Sequence, residues 1–98
     1  MTLAKVMQVL QTPTFKKAVK KLHSNQKADL DAAVKELIRN PLLGEQKKGD
    51  LAFLRVYKFK MVKQPTLLGY SYEDDRVVLE LITLGSHENF YRDIKNLI

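Results

Sequence analysis

The chain has 98 residues, of which 45% are hydrophobic, and it contains no cysteine. This length accommodates one domain with a modest core and is too short for two, and the apolar fraction argues against wholesale disorder. The lack of cysteine excludes disulfides and thiolate metal sites. No apolar run approaches the roughly 18 residues of a membrane span, so residues 1–98 are expected to form a single soluble, cytoplasmic domain.

The net charge of +6 is unevenly distributed along the chain. Residues 1–44 contain eight Lys or Arg against three Asp or Glu, residues 45–63 contain six against two, and residues 69–98 contain three against six. A basic front half suits a polyanionic partner such as RNA, DNA or an acidic protein segment. For any single lysine, solubility charge on a helix face is the ordinary alternative.

The first half of the chain predicts one strand followed by two helices. Residues 5–12 are apolar and β-branched and end at a Thr-Pro-Thr sequence typical of a helix start. From Phe15, apolar residues recur at i, i+3, i+4 and i+7, with four lysines on the opposite side, which indicates an amphipathic helix. The same spacing predicts a second helix over 26–39, capped by Ser24 or Asn25. We expect the two helices to form an antiparallel hairpin packed on a sheet.

The second half predicts a loop, three strands and a closing helix. Residues 42–52 have the glycines and scattered charges of a loop. The last strand is nearly continuous in apolar residues and is expected in the sheet centre. The turns between strands contain Lys63 and a pair of aspartates. The predicted elements are strands 53–60, 65–73 and 76–84 and a helix at 89–98.

These elements predict an α+β fold. An N-terminal helix hairpin packs on a mainly antiparallel four-stranded sheet, a short C-terminal helix closes the chain, and the helices gather on one face of the sheet.

One segment with candidate chemistry is the strand at 53–60. Alternation places Arg55 and Tyr57 on one face and Lys58 and Lys60 on the other, and neither face is cleanly apolar. Arginine beside aromatic rings on an exposed sheet face suits contacts with phosphates and bases. The pattern is equally typical of an edge strand that charge protects from aggregation.

The second segment contains His87 and Tyr91, four residues apart after the most apolar strand. An imidazole exchanges protons near neutral pH, and a phenol donates a hydrogen bond or stacks on a base. Metal-free RNA cleavage needs activation of the 2′-hydroxyl, a proton donor for the leaving oxygen and cations for the phosphorane charge. A capping histidine and a packing tyrosine are the structural alternative. The residues that match the catalytic inventory are Arg55, Lys58, Lys60, His87 and Tyr91.

Other chemistry is not indicated by the sequence. With two histidines and no cysteine, we predict no metal site and no cofactor. His23, between the two predicted helices, is expected to have only a structural role.

The order and spacing of several motifs resemble the RelE/ParE superfamily of type II toxin–antitoxin toxins, and the last motif resembles a ParE-like subgroup. Together the motifs cover most of the chain. They are TPTFKKA (12–18), KGDL (48–51), LRVYKFK (54–60), LLGY (67–70), DDRVVL (74–79) and LGSHENFYRD (84–93).

The resemblance implies a compact α+β toxin that a cognate antitoxin neutralises by covering its basic surface, in a toxin–antitoxin complex of higher order. RelE-like members cleave mRNA in the ribosomal A site, and ParE-like members poison DNA gyrase. In RelE-like members the active residues are basic side chains on the first meander strand, a basic residue on the next strand, and Arg or His with an aromatic residue near the C-terminus.

Carried over to this chain, Arg55 or Lys58, together with Lys60, matches the first group. His87 and Tyr91 match the last group. The resemblance leaves open which register the strand cations adopt.

The arginine of the second strand is missing here, because its position falls on Thr66 or Leu67. Its phosphate-stabilising charge is therefore absent unless Lys63 replaces it. The sequence predicts a growth-arresting toxin, acting by ribosome-dependent mRNA cleavage, with gyrase inhibition and a non-toxic antitoxin-binding module as alternatives. Binding of the nucleic acid or other target is expected from Lys47, Lys48, Tyr57 and Lys63.

Overall fold

The computed structural model describes residues 6–96, which form an α+β fold of three α-helices and a five-stranded mixed sheet. No helix in this part of the chain is long and apolar enough to cross a membrane. A single turn of 3-10 helix lies at Gly49–Leu51. The elements are β1 (Gln8–Gln11), α1 (Pro13–Lys20), α2 (Ser24–Arg39), β2 (Glu45–Gln46), β3 (Arg55–Met61), β4 (Gln64–Glu73), β5 (Val78–Gly85) and α3 (His87–Lys95).

The sheet has the strand order β1-β5-β4-β3-β2, with β1 parallel to β5 and the other neighbours antiparallel. The prediction of four strands is wrong, because β2 forms inside the segment 42–52 that was expected to be a loop. Glu45 and Gln46 pair with Val56 and Arg55 at the edge of β3. Such a short polar strand has no hydrophobic alternation, so only its pairing with β3 defines it.

Several element bounds differ from the predicted ones for local reasons. The strand β5 begins at Val78 because the four residues before it form a turn, in which Val77 has a φ of +53°. The helix α2 begins at Ser24, with His23 in the capping position, and α3 begins two residues early because Ser86 caps it. β5 lies between β1 and β4, and β4 is the central strand. Predicted residues 5 and 97–98 of the terminal elements lie outside the described residues.

The strands present apolar residues to both faces of the sheet, and the core therefore has two layers. Helices α1 and α2 pack on one face, where Phe15, Leu37 and Tyr70 belong to one buried cluster. Helix α3 packs on the other face through Phe90 and Ile94. The prediction that the helices share one face is therefore wrong for α3. The second apolar face of β4 and β5 needs its own cover, and α3 supplies it.

The start of α1 is fixed to the sheet by one side chain. The Thr12 hydroxyl accepts a hydrogen bond from the Phe15 backbone N–H, 3.1 Å away, and caps the helix. It also donates to the Ile82 carbonyl of β5. The backbone N–H of Thr12 donates to the Leu81 carbonyl at 3.0 Å. Helix α1 is thereby held against β5 at its first turn.

A buried tyrosine holds the segment that follows α2. The Tyr70 hydroxyl donates to the Pro41 carbonyl at 2.7 Å and accepts from the Gly44 N–H at 2.8 Å. Burial raises the pKa of the Tyr70 phenol, so the hydroxyl keeps its proton and its donor role at neutral pH. The segment before β2 is thus attached to the central strand.

Docking of α3 depends on the absence of a side chain at Gly69. The Phe90 ring is fully buried and lies over this glycine, and a β-carbon there would approach Phe90 Cε2 to 2.8 Å and Thr83 Cγ2 to 3.1 Å. The close approach lets the aromatic ring fill the space between α3 and the sheet. Burial of Phe90 and Ile94 contributes about 1.5–3 kcal/mol each relative to exposed side chains.

We predict that Gly69→Ala lowers the free energy of unfolding by about 1–3 kcal/mol, because the added methyl group overpacks the α3 interface. The matched control is Gly85→Ala, whose β-carbon would meet Asn89 Cβ at an ordinary 3.5 Å. Urea denaturation measures both variants. Equal loss of stability in the two would contradict the close packing of Phe90 on Gly69.

A second prediction concerns two buried threonines. The Thr83 hydroxyl is fully buried and has no hydrogen-bond partner among the described residues, whereas the Thr66 hydroxyl donates to the Gln64 carbonyl at 3.0 Å. We expect Thr83→Val to raise the free energy of unfolding by about 1 kcal/mol, because it removes an unsatisfied polar atom. Thr66→Val is expected to lower it. Urea denaturation of the two variants measures the direction of each change. A lower free energy of unfolding in both would contradict the prediction for Thr83→Val.

Candidate functional site

The first turn of α3 presents two rings on one side of the helix. The Ser86 hydroxyl accepts from the Asn89 backbone N–H at 3.4 Å, so the helix begins at His87. The i, i+4 spacing places His87 and Tyr91 on the same face. Their ring centroids lie 4.9 Å apart with an interplanar angle of 59°. The half-buried Tyr91 also meets the buried Phe90 edge-on, with ring centroids 5.1 Å apart, so the Phe90 ring supports Tyr91 from the core side.

The face of β3 that meets α3 changes from core to solvent along the strand. Val56 is buried beneath α3, and Lys58, the next residue on that face, is exposed. Lys58 and His87 line one cavity of about 230 Å³. The strand cation and the imidazole are therefore brought together, although 29 positions separate them in the sequence.

Lys47 completes this group from the other side of Tyr91. Its ammonium nitrogen lies 5.8 Å from the centroid of the Tyr91 ring and 3.4 Å from Glu45 Oε1. The Tyr91 phenol raises the pKa of Lys47, with a smaller contribution from Glu45, and partial burial opposes both. Lys47 is consequently a cation at neutral pH. We name Lys47, Lys58, His87 and Tyr91 the α3 cluster.

The α3 cluster combines three kinds of side-chain chemistry. The imidazole can accept or donate a proton, the two ammonium groups offset negative charge, and the phenol donates a hydrogen bond or stacks on a base. Among residues 6–96, no group of three or more His, Cys, Asp or Glu is arranged to hold a metal ion. The side chains of the cluster themselves offer proton transfer and charge stabilisation.

Arg55 does not join the cluster. Its guanidinium donates to the carbonyl oxygens of Gly44 at 2.8 Å and Leu42 at 3.3 Å, and it lies on the face of β3 that meets α1 and α2. Arg55 pairs with Tyr70 across β3 and β4, and both side chains bind the same segment after α2. The structure thus gives Arg55 a structural contact.

Tyr57 and Lys60 are also separated from the cluster. Tyr57 stacks on Phe59 with centroids 6.0 Å apart and packs on the core of the α1 and α2 face. Lys60 lines a different cavity of about 240 Å³, between β3 and α2, together with Asp29 and Glu36. Alternation accounts for the separation of Tyr57 from Lys58. Lys60 has the same parity as Lys58, but it lies nearer the end of β3 and lines the cavity on the α2 side.

The two remaining predicted residues are exposed on turns. Lys48 immediately precedes the 3-10 turn, and Lys63 lies in the two-residue hairpin between β3 and β4 with a φ of +68°. Val62, the other hairpin residue, donates its N–H to Asp29 Oδ2 at 2.7 Å, which ties the hairpin to α2. Neither lysine lines the cavity shared by Lys58 and His87.

Two uncharged residues that the sequence did not single out as site residues line this cavity. Thr66 and Leu67 lie on β4 beside Lys58 and His87. They occupy the position where the resemblance leads one to expect arginine, so that wall of the cavity is neutral. The sequence already indicated that this arginine is missing. The structure shows that Thr66 and Leu67, which stand at its position, line the cavity.

Comparison with known proteins gives a family match across nearly the whole chain. Residues 9–95 match the family model described as a ParE-like toxin of a type II bacterial toxin–antitoxin system. No curated protein matches the chain at a significant level.

Solved toxin structures share the fold at low sequence identity. The isolated E. coli RelE toxin superposes with a TM-score of 0.65 at 21% identity, over 95% of this chain and 100% of RelE. YafQ from E. coli gives 0.64 at 17% identity, over 88% and 99%. A chain of the Mycobacterium tuberculosis RelBE2 toxin–antitoxin complex gives 0.62 at 21% identity, over 83% and 98%. At such identities the likeness extends to the fold alone.

The contacts of Arg55 generate a prediction about stability. Arg55→Ala is expected to lower the free energy of unfolding by about 2 kcal/mol, because two charge-assisted bonds to loop carbonyls are lost. Lys58→Ala, on the same strand but exposed, is expected to stay within about 0.5 kcal/mol of the wild type. Thermal and urea unfolding of the two variants measure the difference. Equal stabilities would show that the Arg55 contacts contribute little.

Proposed function

Because the chain belongs to the ParE-like toxins of type II bacterial toxin–antitoxin systems, we propose that it arrests growth by cleaving mRNA on the ribosome. The observation that carries this proposal is the meeting of Lys58 and His87 at one cavity, with Tyr91 and Lys47 beside them. A proton-transfer group and two cations on one open surface match the needs of RNA cleavage without a metal.

In the proposed reaction, the 2′-oxygen of a nucleotide attacks the adjacent phosphorus and loses its proton. The bond from phosphorus to the 5′-oxygen breaks, and that oxygen takes up a proton. The products are a 2′,3′-cyclic phosphate and a free 5′-hydroxyl. No oxidant or other reactant is consumed, so the reaction needs proton transfer and charge stabilisation from the protein's side chains.

We assign proton transfer to His87, since it lines the cavity and an imidazole can both accept and donate a proton. Lys58 stabilises the charge that develops on the phosphorane oxygens, and Lys47 holds an adjacent phosphate. The N-terminus of α3 adds a partial positive charge to the same place. Tyr91 orients His87 through the ring contact and offers a surface for a base.

The open form of the cluster supports dependence on the ribosome. His87 and Lys58 are exposed, so the cavity alone does not enclose a nucleotide. Cleavage rates depend strongly on holding the attacking oxygen in line with the leaving oxygen. We propose that the ribosome presents the mRNA in that geometry, and that the neutral Thr66 wall makes this external positioning more important.

We further propose that the cytoplasmic toxin is neutralised by a cognate antitoxin that covers the α3 cluster. A chain with net charge +6 attracts an acidic segment, and a bound segment would exclude RNA from the cavity. The solved RelBE2 complex is a precedent for a related fold bound to its antitoxin.

Gyrase inhibition is the second candidate, and a specific observation favours it. The matching family model describes ParE-like toxins, and Thr66 and Leu67 stand where the resemblance predicts a phosphate-binding arginine. In that case the cationic surface would bind protein or DNA without cleaving RNA. This candidate predicts intact mRNA in arrested cells.

Brief expression in cells, with mapping of mRNA 5′ ends and of plasmid supercoiling in the same culture, tests the proposal. We predict cuts at A-site codons for the wild type, and about a hundredfold loss of cleavage for His87→Ala and Lys58→Ala. Lys60→Ala is expected to have a clearly smaller effect than Lys58→Ala, since Lys60 lines another cavity.

The control is His23→Ala, which removes the other histidine at the start of α2 and is expected to leave cleavage unchanged. Full toxicity in the His87 and Lys58 variants would refute the catalytic assignment. Intact mRNA with relaxed or broken plasmid DNA would identify a gyrase inhibitor instead.

A further inference from the structure

A second cavity, of about 360 Å³, lies between α1 and α3 at the end of the sheet. Its volume falls at the lower end of the range of small-ligand sites. Its floor is apolar and includes Ala18, Leu22, Met61 and Leu84. Charged side chains from both helices, Lys21 and Arg92 among them, stand around this floor. We name this feature the α1–α3 groove.

The α1–α3 groove is adjacent to the cavity of the α3 cluster. Phe59 lines the cluster cavity and Met61 lines the groove, and these two residues are about 7 Å apart along β3. On α3, His87 faces the first cavity, and Asn89, within the same helical turn, faces the second. The start of α3 therefore contributes a lining residue to each cavity.

The cations of the groove lack an acidic partner in the described part of the chain. Among residues 6–96, no carboxylate lies within 4.0 Å of the Lys21 ammonium or the Arg92 guanidinium. The guanidinium instead donates a hydrogen bond to Asn89 Oδ1 on the preceding turn, which orients it. Lys17, one turn before Lys21, continues the row of positive charge along α1.

An apolar floor beneath two unpaired cations matches the chemistry of a nucleotide. A guanidinium and an ammonium bind phosphate oxygens, and a ribose or base edge covers aliphatic side chains. The groove also contains the Asp93 carboxylate, which repels phosphate but accepts hydrogen bonds from ribose hydroxyls and base amino groups. A nucleotide supplies both the phosphate and these donors, which a simple anion does not.

We propose that the α1–α3 groove binds the single-stranded RNA segment next to the scissile phosphate, with Lys21 and Arg92 contacting its phosphodiester. This inference rests on the proposed RNA cleavage and extends it from the reacting phosphate to a neighbouring nucleotide. Continuity with the α3 cluster and the unpaired positive charge both favour RNA as the occupant.

The test measures binding of a labelled RNA oligonucleotide to the purified toxin by fluorescence anisotropy over a range of salt. The variant Lys21→Ala/Arg92→Ala is compared with Lys27→Ala/Lys35→Ala, which removes the same charge from exposed positions on α2. We expect about tenfold weaker binding for the groove variant and a salt slope smaller by about 0.7, which is roughly the contribution of one neutralised phosphate in a single strand. The control and the charge-retaining Lys21→Arg/Arg92→Lys variant are expected to bind nearly as the wild type does.

A dinucleotide probe separates the two sites. It contains a single phosphodiester, which the cleavage reaction at the α3 cluster uses, and so it has no second one for Lys21 and Arg92. The groove variant should therefore bind it like the wild type. Equal RNA affinity in the groove variant and the α2 control would overturn the groove proposal while leaving cleavage mapped in cells untouched. Unchanged RNA affinity with weakened binding to the protein encoded by the adjacent reading frame would assign the groove to the antitoxin, and would also overturn it.

Discussion

The packing of Phe90 against Gly69 is the contact on which the candidate site depends. The ring is fully buried where a β-carbon on β4 would collide with it, so α3 lies close against the sheet. His87 and Tyr91 occupy the exposed side of the same helical turns. Their positions relative to Lys58 therefore follow from how the buried side of α3 is seated, which couples the stability of this interface to the geometry of the cluster.

Strand β3 serves two faces of the sheet, and alternation separates its roles. On the face toward α1 and α2, Arg55 binds the segment after α2 and Tyr57 packs on the core. On the face toward α3, the core ends at Val56 and the strand continues into solvent at Lys58. A charged residue at that point leaves an open cavity because α3 no longer covers the strand. The cavity proposed for RNA cleavage therefore lies where the core under α3 ends and β3 becomes exposed.

The first turn of α3 separates two cavities of related character. Each combines apolar walls with cations from different elements: Lys58 in one, and Lys21 and Arg92 in the other. A polyanion that spans both would contact groups contributed by β3, α1 and α3. Contacts between these cations and RNA phosphates would supply binding affinity. Alignment of the reacting atoms would then depend on the ribosome, which is proposed to present the mRNA. The proposed dependence on the ribosome and the proposed groove are therefore parts of one physical argument.

Local patterns in the sequence determined most of the elements, since helical and strand periodicities are properties of neighbouring residues. The spacing from Phe15 predicted α1. The contact between the His87 and Tyr91 rings follows from a helix that begins at His87, two residues before its predicted start. The two-residue strand β2, the face on which α3 packs, and the contact of Lys47 with Tyr91 were decided only by the tertiary structure. Each depends on pairing or packing between residues far apart in the chain, and no local periodicity records which distant residues will meet. Arg55 is a further case that only the tertiary structure decided. Its charge suggested a phosphate contact, but its guanidinium binds the backbone carbonyl oxygens of Leu42 and Gly44.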